Sequence, residues 1–225
     1  LDDIKHRGGV EELWCMGDVV GYGPDPHQCI ELLRQYNHVC VAGNHDWAAI
    51  GKVATSKFNP DAAIACQWTG QQLSPEDVEY LKNLPLVIQK GDFTLTHGSP
   101  REPIWEYLLS VSSAKENFAY FQSHFCLVGH SHMPLVFSYN ETGTCSFNQF
   151  MPNIKLVLGE NRMIINPGGV GQPRDDDPRS SYAIYDTEAR IAKLYRIPYD
   201  INVTQVRMVK HNLPMRLVAR LSYGT

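Results

Sequence analysis

The strongest constraint on this chain is a rhythm: a short apolar run that ends in glycine, or next to one, together with side chains able to hold a metal ion. Glu12 to Met16 leads into Gly17-Asp18, and Val39 to Ala42 leads into Gly43-Asn44-His45-Asp46. Phe93 to Thr96 leads into His97-Gly98, and Phe125 to Val128 into Gly129-His130-Ser131-His132. Short apolar runs bounded in this way predict buried strands. Polar groups at strand ends gather in the crevice that open α/β sheets leave there, so residues distant in sequence are expected to converge.

The residue types then narrow the chemistry. Asp18 is a carboxylate able to bridge two cations, Asn44 offers a neutral carbonyl, and His97, His130 and His132 offer imidazole nitrogens. No thiolate takes part. Such a mixed oxygen and nitrogen set suits divalent metals that activate water, whereas structural zinc favours closely spaced cysteines. The metal is therefore expected to be catalytic.

The order and wording of the four motifs resemble the calcineurin-like metallophosphoesterase superfamily, particularly its small uncapped bacterial and archaeal members, from Leu13 to about Leu194. The segment Asn166-Pro167-Gly168-Gly169-Val170-Gly171-Gln172-Pro173-Arg174 is similar to the same subgroup. The resemblance implies an α/β fold in which two mixed β-sheets pack as a sandwich flanked by helices, making four layers. It also implies two divalent metal ions, with manganese ahead of iron, nickel and zinc. Asp18 would bridge them; Asn44, His97 and His130 would complete the shell of the second metal, and His132 would join Asp18 at the first. The other ligands of the first metal would come from an amino-terminal Asp-x-His motif, and none precedes Gly17. The first-metal site is accordingly expected to be incomplete, as if the first strand and most of the first helix were lacking. Asp25-Pro26-His27 has the right letters, but it follows Asp18 at the entry to a helix, where Asp25 is expected to act as a cap.

In the resembling enzymes the histidine after the ligand asparagine faces the substrate phosphate. His45 is thus the expected acid or charge stabiliser and Asp46 its orienter, with Asn44 also bordering the substrate. Arg174 and Arg179 have forks that match phosphate geometry, unless the adjacent Asp175, Asp176 and Asp177 take up their charge. Tyr22 either lines the pocket rim or packs. His6, His38, His124 and His211 carry no motif. The reaction implied is hydrolysis of a phosphomonoester or phosphodiester by water or hydroxide held between two metals, attacking phosphorus in line. The rivals are a non-catalytic scaffold of the same fold and a nuclease.

Composition bears on partners. With 20 basic against 24 acidic residues the net charge is −4, which gives no electrostatic footprint for non-specific nucleic-acid or membrane binding. A phosphoester substrate is the expected partner. The six cysteines sit singly, so reduced thiols in a cytoplasmic protein are expected. No apolar stretch approaches the roughly 18 residues of a membrane span, and no signal-peptide core opens the chain.

The 225 residues suit a single domain over 1–225 with a helical extension over 200–225. In that extension Val203, Val206, Val209 and Leu213, followed by a basic amphipathic segment from Arg216 to Leu221, are expected to pack on the sandwich or on a second subunit. Helices are predicted over Pro26 to Tyr36, Pro60 to Leu73, Pro75 to Asn83 behind a Ser74 cap, and Ser113 to Gln122. Further strands are predicted over 86–89, 135–139, 155–158, 162–165, 181–186 and 191–196, and irregular backbone over 149–153 and 171–178.

Overall fold

A computed structural model describes all 225 residues. The strands are β1 (Leu13–Cys15), β2 (His38–Cys40), β3 (Val87–Lys90), β4 (Phe93–Thr96), β5 (Phe125–Leu127), β6 (Pro134–Tyr139), β7 (Cys145–Gln149), β8 (Lys155–Val157), β9 (Arg162–Pro167), β10 (Ser180–Asp186) and β11 (Ile191–Ile197). Six of them form one mixed sheet in the order β3-β4-β5-β9-β6-β7, in which β4, β5 and β9 run parallel. The facing layer is divided into two hydrogen-bonded pieces: the parallel pair β1-β2 and the antiparallel trio β10-β11-β8.

The core between the layers joins Met16 and Val41 to Phe93, Leu95, Phe125, Met163 and Ile165 on one side, and to Leu158 and Leu194 on the other. Strand side chains alternate between faces, so Cys126 and Ile164 point the opposite way, into a second cluster with Phe118, Phe121 and Phe137. This double burial explains why the central strands read as continuous apolar runs. Burying each such large side chain contributes about 1.5–3 kcal/mol.

The helices are α1 (Asp2–His6), α2 (Pro26–Arg34), α3 (Asn44–Ala49), α4 (Pro60–Gln72), α5 (Pro75–Asn83), α6 (Val111–Asn117), α7 (Ile201–Lys210) and α8 (Met215–Arg220). Ser74 and Asp77 cap α5 reciprocally: the serine hydroxyl accepts the Asp77 N–H at 3.2 Å and the carboxylate accepts the Ser74 N–H at 2.9 Å. α2 and α5 pack Ile30, Leu81 and Leu84 against Cys40 and Ala42 on the outer side of the β1-β2 pair.

Several elements depart from the sequence expectation. α6 spans Val111 to Asn117, its start set by Ser110, which caps it by accepting the Ser113 N–H at 3.1 Å. Beyond Asn117 the carbonyls of Phe118 and Phe121 accept from the Arg162 guanidinium at 2.9 and 2.6 Å, which ends the helix before Gln122. β7 occupies residues that include Gln149, expected to be irregular. α3 begins at Asn44 itself, inside the motif that follows β2, a helix the sequence had not marked.

The extension is two helices divided at Pro214, and its buried face is not the valine row. Met208, Leu213, Leu217, Val218 and Leu221 pack on Ala65, Trp68, Ile201 and Tyr22, whereas Val203, Val206 and Val209 are exposed. Ile201 and Met208 lie seven residues apart and so return to one face after two turns, while steps of three drift off it. No helix is long and apolar enough to cross a membrane. All six cysteines are free.

Candidate metal centre

Two pairs of parallel strands bring the motif residues to one end of the sandwich. Asp18 and Asn44 follow β1 and β2 in one layer; His97 and His130 follow β4 and β5 in the other. The second pair is stitched by the Gly129 N–H, which donates to the His97 carbonyl at 2.7 Å. Asp18, His130 and His132 hold φ values of 54°, 58° and 59°, a left-handed conformation that costs a non-glycine residue about 1–3 kcal/mol and persists only when its surroundings enforce it.

Four atoms converge there. His97 Nε2 lies 3.0 Å from Asn44 Oδ1, 3.0 Å from His130 Nδ1 and 3.2 Å from Asp18 Oδ2. The other nitrogen of each ring decides what these atoms can do. His97 Nδ1 faces the Met16 carbonyl at 2.6 Å and His130 Nε2 faces the Trp105 carbonyl at 3.2 Å, so both must carry the hydrogen. Neutral rings then present only lone pairs inward, beside a carboxylate oxygen and an amide oxygen. Four acceptors with no donor among them require a cation, either a proton or a metal ion. The donor set therefore fits a divalent metal, with outer carbonyls fixing each tautomer.

Charge in the site follows from the same packing. Burial disfavours the Asp18 carboxylate, but the imidazoles of His97, His45 and His130 together hold its carboxyl below the usual carboxylate range. Burial likewise works against a charged His97, yet the Asp18 carboxylate raises it. Burial pushes His130 and His132 down to about 3 and His45 down to about 4, so all three stay neutral at neutral pH, as metal ligands and neutral donors must be.

His132 stands outside the group formed by Asp18, His97 and His130, whose ligand atoms lie within 4.8 Å of one another. Its Nδ1 donates to the Gln172 carbonyl at 2.6 Å, which leaves Nε2 with its lone pair. Asp25 and His27 belong elsewhere. Asp25 pairs with Arg207 of α7 and makes no side-chain cap, correcting that expectation, while His27 Nδ1 meets Asp77 at 2.7 Å.

Asp46 does not orient His45. It is fully buried and accepts three backbone N–H groups, from Asp18 at 2.8 Å, Gly43 at 2.9 Å and Val20 at 3.2 Å. Helix α3 turns its carboxylate back toward its own start, away from the His45 ring. In return Asp18 Oδ1 accepts the His45 N–H at 2.8 Å, so the two motif loops are laced together by both acids. A Cβ on Gly43 would collide with Asp18 Oδ1, which is why this position has no side chain. The atom facing His45 Nδ1 is the sulfur of buried Cys66, at 3.1 Å.

A cavity of about 310 Å³ opens beside the four convergent atoms, lined by Asn44, His45 and His130 at one end and by Tyr22, Phe58, Trp105 and Tyr107 around it. Arg174 reaches this region. Its Nη2 donates to the Tyr22 hydroxyl at 3.2 Å and to Gln172 Oε1 at 3.1 Å, while its buried Nε has no partner. Arg179 does not: its fork is spent on Asp177, at 2.6 Å from Nη2 and 2.9 Å from Nε. Of the two alternatives open from sequence, Arg179 takes the aspartate: Asp177 lies two residues away, close enough to capture the fork.

Cys66, Phe58, Lys57, Trp105 and Tyr107 border the site without having been singled out from sequence. They lie in helix α4, in the turn before it and in the loop after His97, where no motif or periodicity marks them. The one available signal was the pair of aromatics flanking Glu106.

Comparison with known proteins adds to this geometry. The model of the calcineurin-like phosphoesterase superfamily domain matches residues 1–190. Uncharacterized protein MJ0912 of Methanocaldococcus jannaschii is 40% identical over 230 residues, which cover all of this chain and 90% of that protein. A protein of Actinobacillus pleuropneumoniae serotype 5b named bis(5'-nucleosyl)-tetraphosphatase, symmetrical, is 27% identical over 55% of this chain and 47% of its own length. Among solved structures, a metallophosphoesterase from Sphaerobacter thermophilus superposes with a TM-score of 0.89 at 43% identity, over 99% of this chain and 91% of that one. Hypothetical protein PH1004 from Pyrococcus horikoshii OT3 shares the fold, with a TM-score of 0.80 at 19% identity over 100% of this chain and 90% of that one. From the motifs at the strand ends to the match along residues 1–190, the chain belongs to the calcineurin-like phosphoesterase superfamily.

Proposed function

We propose that this chain is a metal-dependent phosphoesterase whose metal is held by Asp18, Asn44, His97 and His130. The observation that carries the reading is the ring of four inward lone pairs, with each histidine tautomer fixed by a carbonyl behind it. A scaffold that had lost its chemistry would have no use for this arrangement. Asp18 and His132 are what the chain offers a second cation. Bound divalent cations would supply an activated water and neutralise phosphate charge; manganese is the first to try.

The remaining roles belong to the chain's own side chains. His45, kept neutral by burial, borders the cavity and would donate to the phosphoryl or leaving oxygen. Asn44, next to it, would fix substrate as well as metal. Arg174 would present its unpartnered Nε to a phosphate oxygen, with Tyr22 holding the guanidinium from the side. Asp46 would keep Asp18 at its strained angle.

The test is turnover of the full chain, reconstituted with manganese, iron, nickel or zinc, against phosphomonoesters, phosphodiesters and a dinucleoside tetraphosphate. The last is included because the tetraphosphatase relatives carry that name. Hydrolysis that requires both metal and Asp18 is expected. Inactivity with every metal would sink the reading.

A further inference from the structure

We propose that the cavity beside His45 is a nucleobase site, so that the phosphoester taken by this chain is that of a nucleoside. The inference rests on the phosphoesterase reading for the location of the phosphate, and on the cavity walls for everything else.

A phosphoester has a charged end and an ester group, and the cavity has two matching ends. Asn44, His45 and His130 mark the end beside the four convergent atoms, where the phosphate would sit. Around the rest stand four aromatic side chains from three separate segments: Tyr22, Phe58, Trp105 and Tyr107. Their arrangement is a continuous set of rings. Phe58 meets His45 edge-on at 4.8 Å and Trp105 at 5.3 Å, Tyr22 lies 4.3 Å from the His45 ring, and Tyr107 stacks on His130 at 3.9 Å. Phe58 and Trp105 are only half-buried and Tyr107 is 46% exposed, so these rings line a cavity rather than fill a core. Large rings left part-exposed around a polar site are what a planar ligand needs to stack on.

Size and polarity select among planar ligands. The volume of about 310 Å³ is at the lower end of small-molecule sites, which suits one nucleoside-sized group and not a peptide segment. Two donors edge the rings. Lys57 Nζ lies 5.2 Å from the Trp105 ring centroid, and Oδ1 of the cavity-lining Asn59 is committed to the Ala62 N–H at 3.0 Å, which leaves its side-chain N–H₂ free to donate. Ring nitrogens and carbonyls of a nucleobase accept from such groups; the ring of a simple phenol ester has no acceptor to offer, and a glycerol ester has no face to stack.

The experiment measures equilibrium binding to the full chain by quenching of tryptophan fluorescence and by calorimetry. Probes are adenosine 5'-monophosphate, phenyl phosphate and glycerol phosphate, tested on the unaltered protein and on Trp105→Ala, Trp105→Phe and Phe58→Ala. Adenosine monophosphate is expected to bind at least roughly tenfold more tightly than either of the others, as loss of one stacking ring is worth about 10- to 100-fold. That ratio should collapse toward unity in Trp105→Ala and Phe58→Ala and persist in Trp105→Phe, which keeps a ring if the alanine variant folds poorly. Equal binding of adenosine and glycerol phosphates, or a preference that survives both alanine variants, would overturn the proposal. Equal binding of phenyl phosphate would overturn the nucleoside in favour of any aryl ester. Binding needs no turnover, so a protein that prefers adenosine monophosphate yet hydrolyses nothing would sink the phosphoesterase reading and keep the cavity.

Discussion

Asp46 Oδ2 accepts the backbone N–H of Asp18 at 2.8 Å, from a position wholly out of reach of solvent. One carboxylate thus holds another at the left-handed backbone angle that its place among the converging ligands demands. The strain at Asp18 is local, whereas its restraint comes from a residue on a different strand end. Burial beside the Asp18 carboxylate pushes Asp46 up to about 7, against the pull of the Gly43 and Val20 N–H groups.

Replacing Asp46 by Asn would turn an amide N–H₂ toward backbone donors that need an acceptor. Metal affinity should fall about 10- to 100-fold, the usual effect of removing an outer partner of a metal ligand. Stability should fall by about 1–3 kcal/mol from the unsatisfied buried groups. Metal titration and thermal melting of Asp46→Asn check both, and unchanged metal affinity would remove Asp46 from this role.

Metal content should separate ligands from the donor. Asp18→Asn and His130→Ala should lose bound metal and turnover together, because the first removes the negative charge among the four convergent atoms and the second removes one of those atoms. His45→Ala should retain metal while turnover drops about 10²- to 10⁴-fold. Elemental analysis beside kinetics on one preparation decides it: loss of metal from His45→Ala would contradict the assignment.

Cys66 stands where a carboxylate was expected, 3.1 Å from His45 Nδ1. Burial pushes its thiol up to about 12, so at neutral pH it remains S–H, a neutral partner of that nitrogen whose sulfur also reaches the His45 carbonyl at 3.8 Å. Cys66→Val should lower kcat with little change in KM, and Cys66→Ser, which keeps a donor, should restore most of it. Equal activity of the valine and serine variants would show that the sulfur only fills space.

Gly21 tests how tightly His45 is held. At φ +150° it runs so close to the imidazole that an added Cβ would lie 2.7 Å from Nδ1. Gly21→Ala should displace the ring and cut turnover about 10²-fold, the usual consequence of a displacement near 1 Å, with metal content kept. Normal turnover in this variant would mean that the ring position is not critical.

Acidification should destabilise the metal-free protein through its buried histidines. His45, His130 and His132 have folded values of about 4, 3 and 3, below the 6.5 of a free histidine, so the unfolded chain binds more protons as pH drops below 6.5. Their contribution is complete above that value and is lost as pH falls through the folded ones. His97 and Asp46 are raised and act oppositely, their contributions being present at low pH and lost as pH rises through the folded values, about 7 for Asp46, but they are two groups against three. The melting temperature of chelator-treated protein should therefore decline steadily from pH 7 to pH 4. A flat profile over that range would show that these rings are hydrated.

Sequence alone determined the strands and the polar residues at their ends that the fold brings together. A strand that is apolar on both faces and ends in glycine and a polar residue is a local signal, and four of them in order left little freedom for Asp18, Asn44, His97 and His130. Helix starts at Pro26, Pro60 and Pro75 were legible for the same reason, since caps and prolines act within a few residues. What only the tertiary structure decided is which side chain answers which. Asp46 could face His45 or the backbone, Arg174 and Arg179 could each face the aspartates or the site, and the valines of α7 could be buried or bare. These alternatives differ by single hydrogen bonds or a fraction of a helical turn, energies too small and distances too long-range for spacing to register. They are settled where α4, the loop after His97 and the carboxy-terminal helices close around the candidate metal centre, and there the aromatic cavity is made as well.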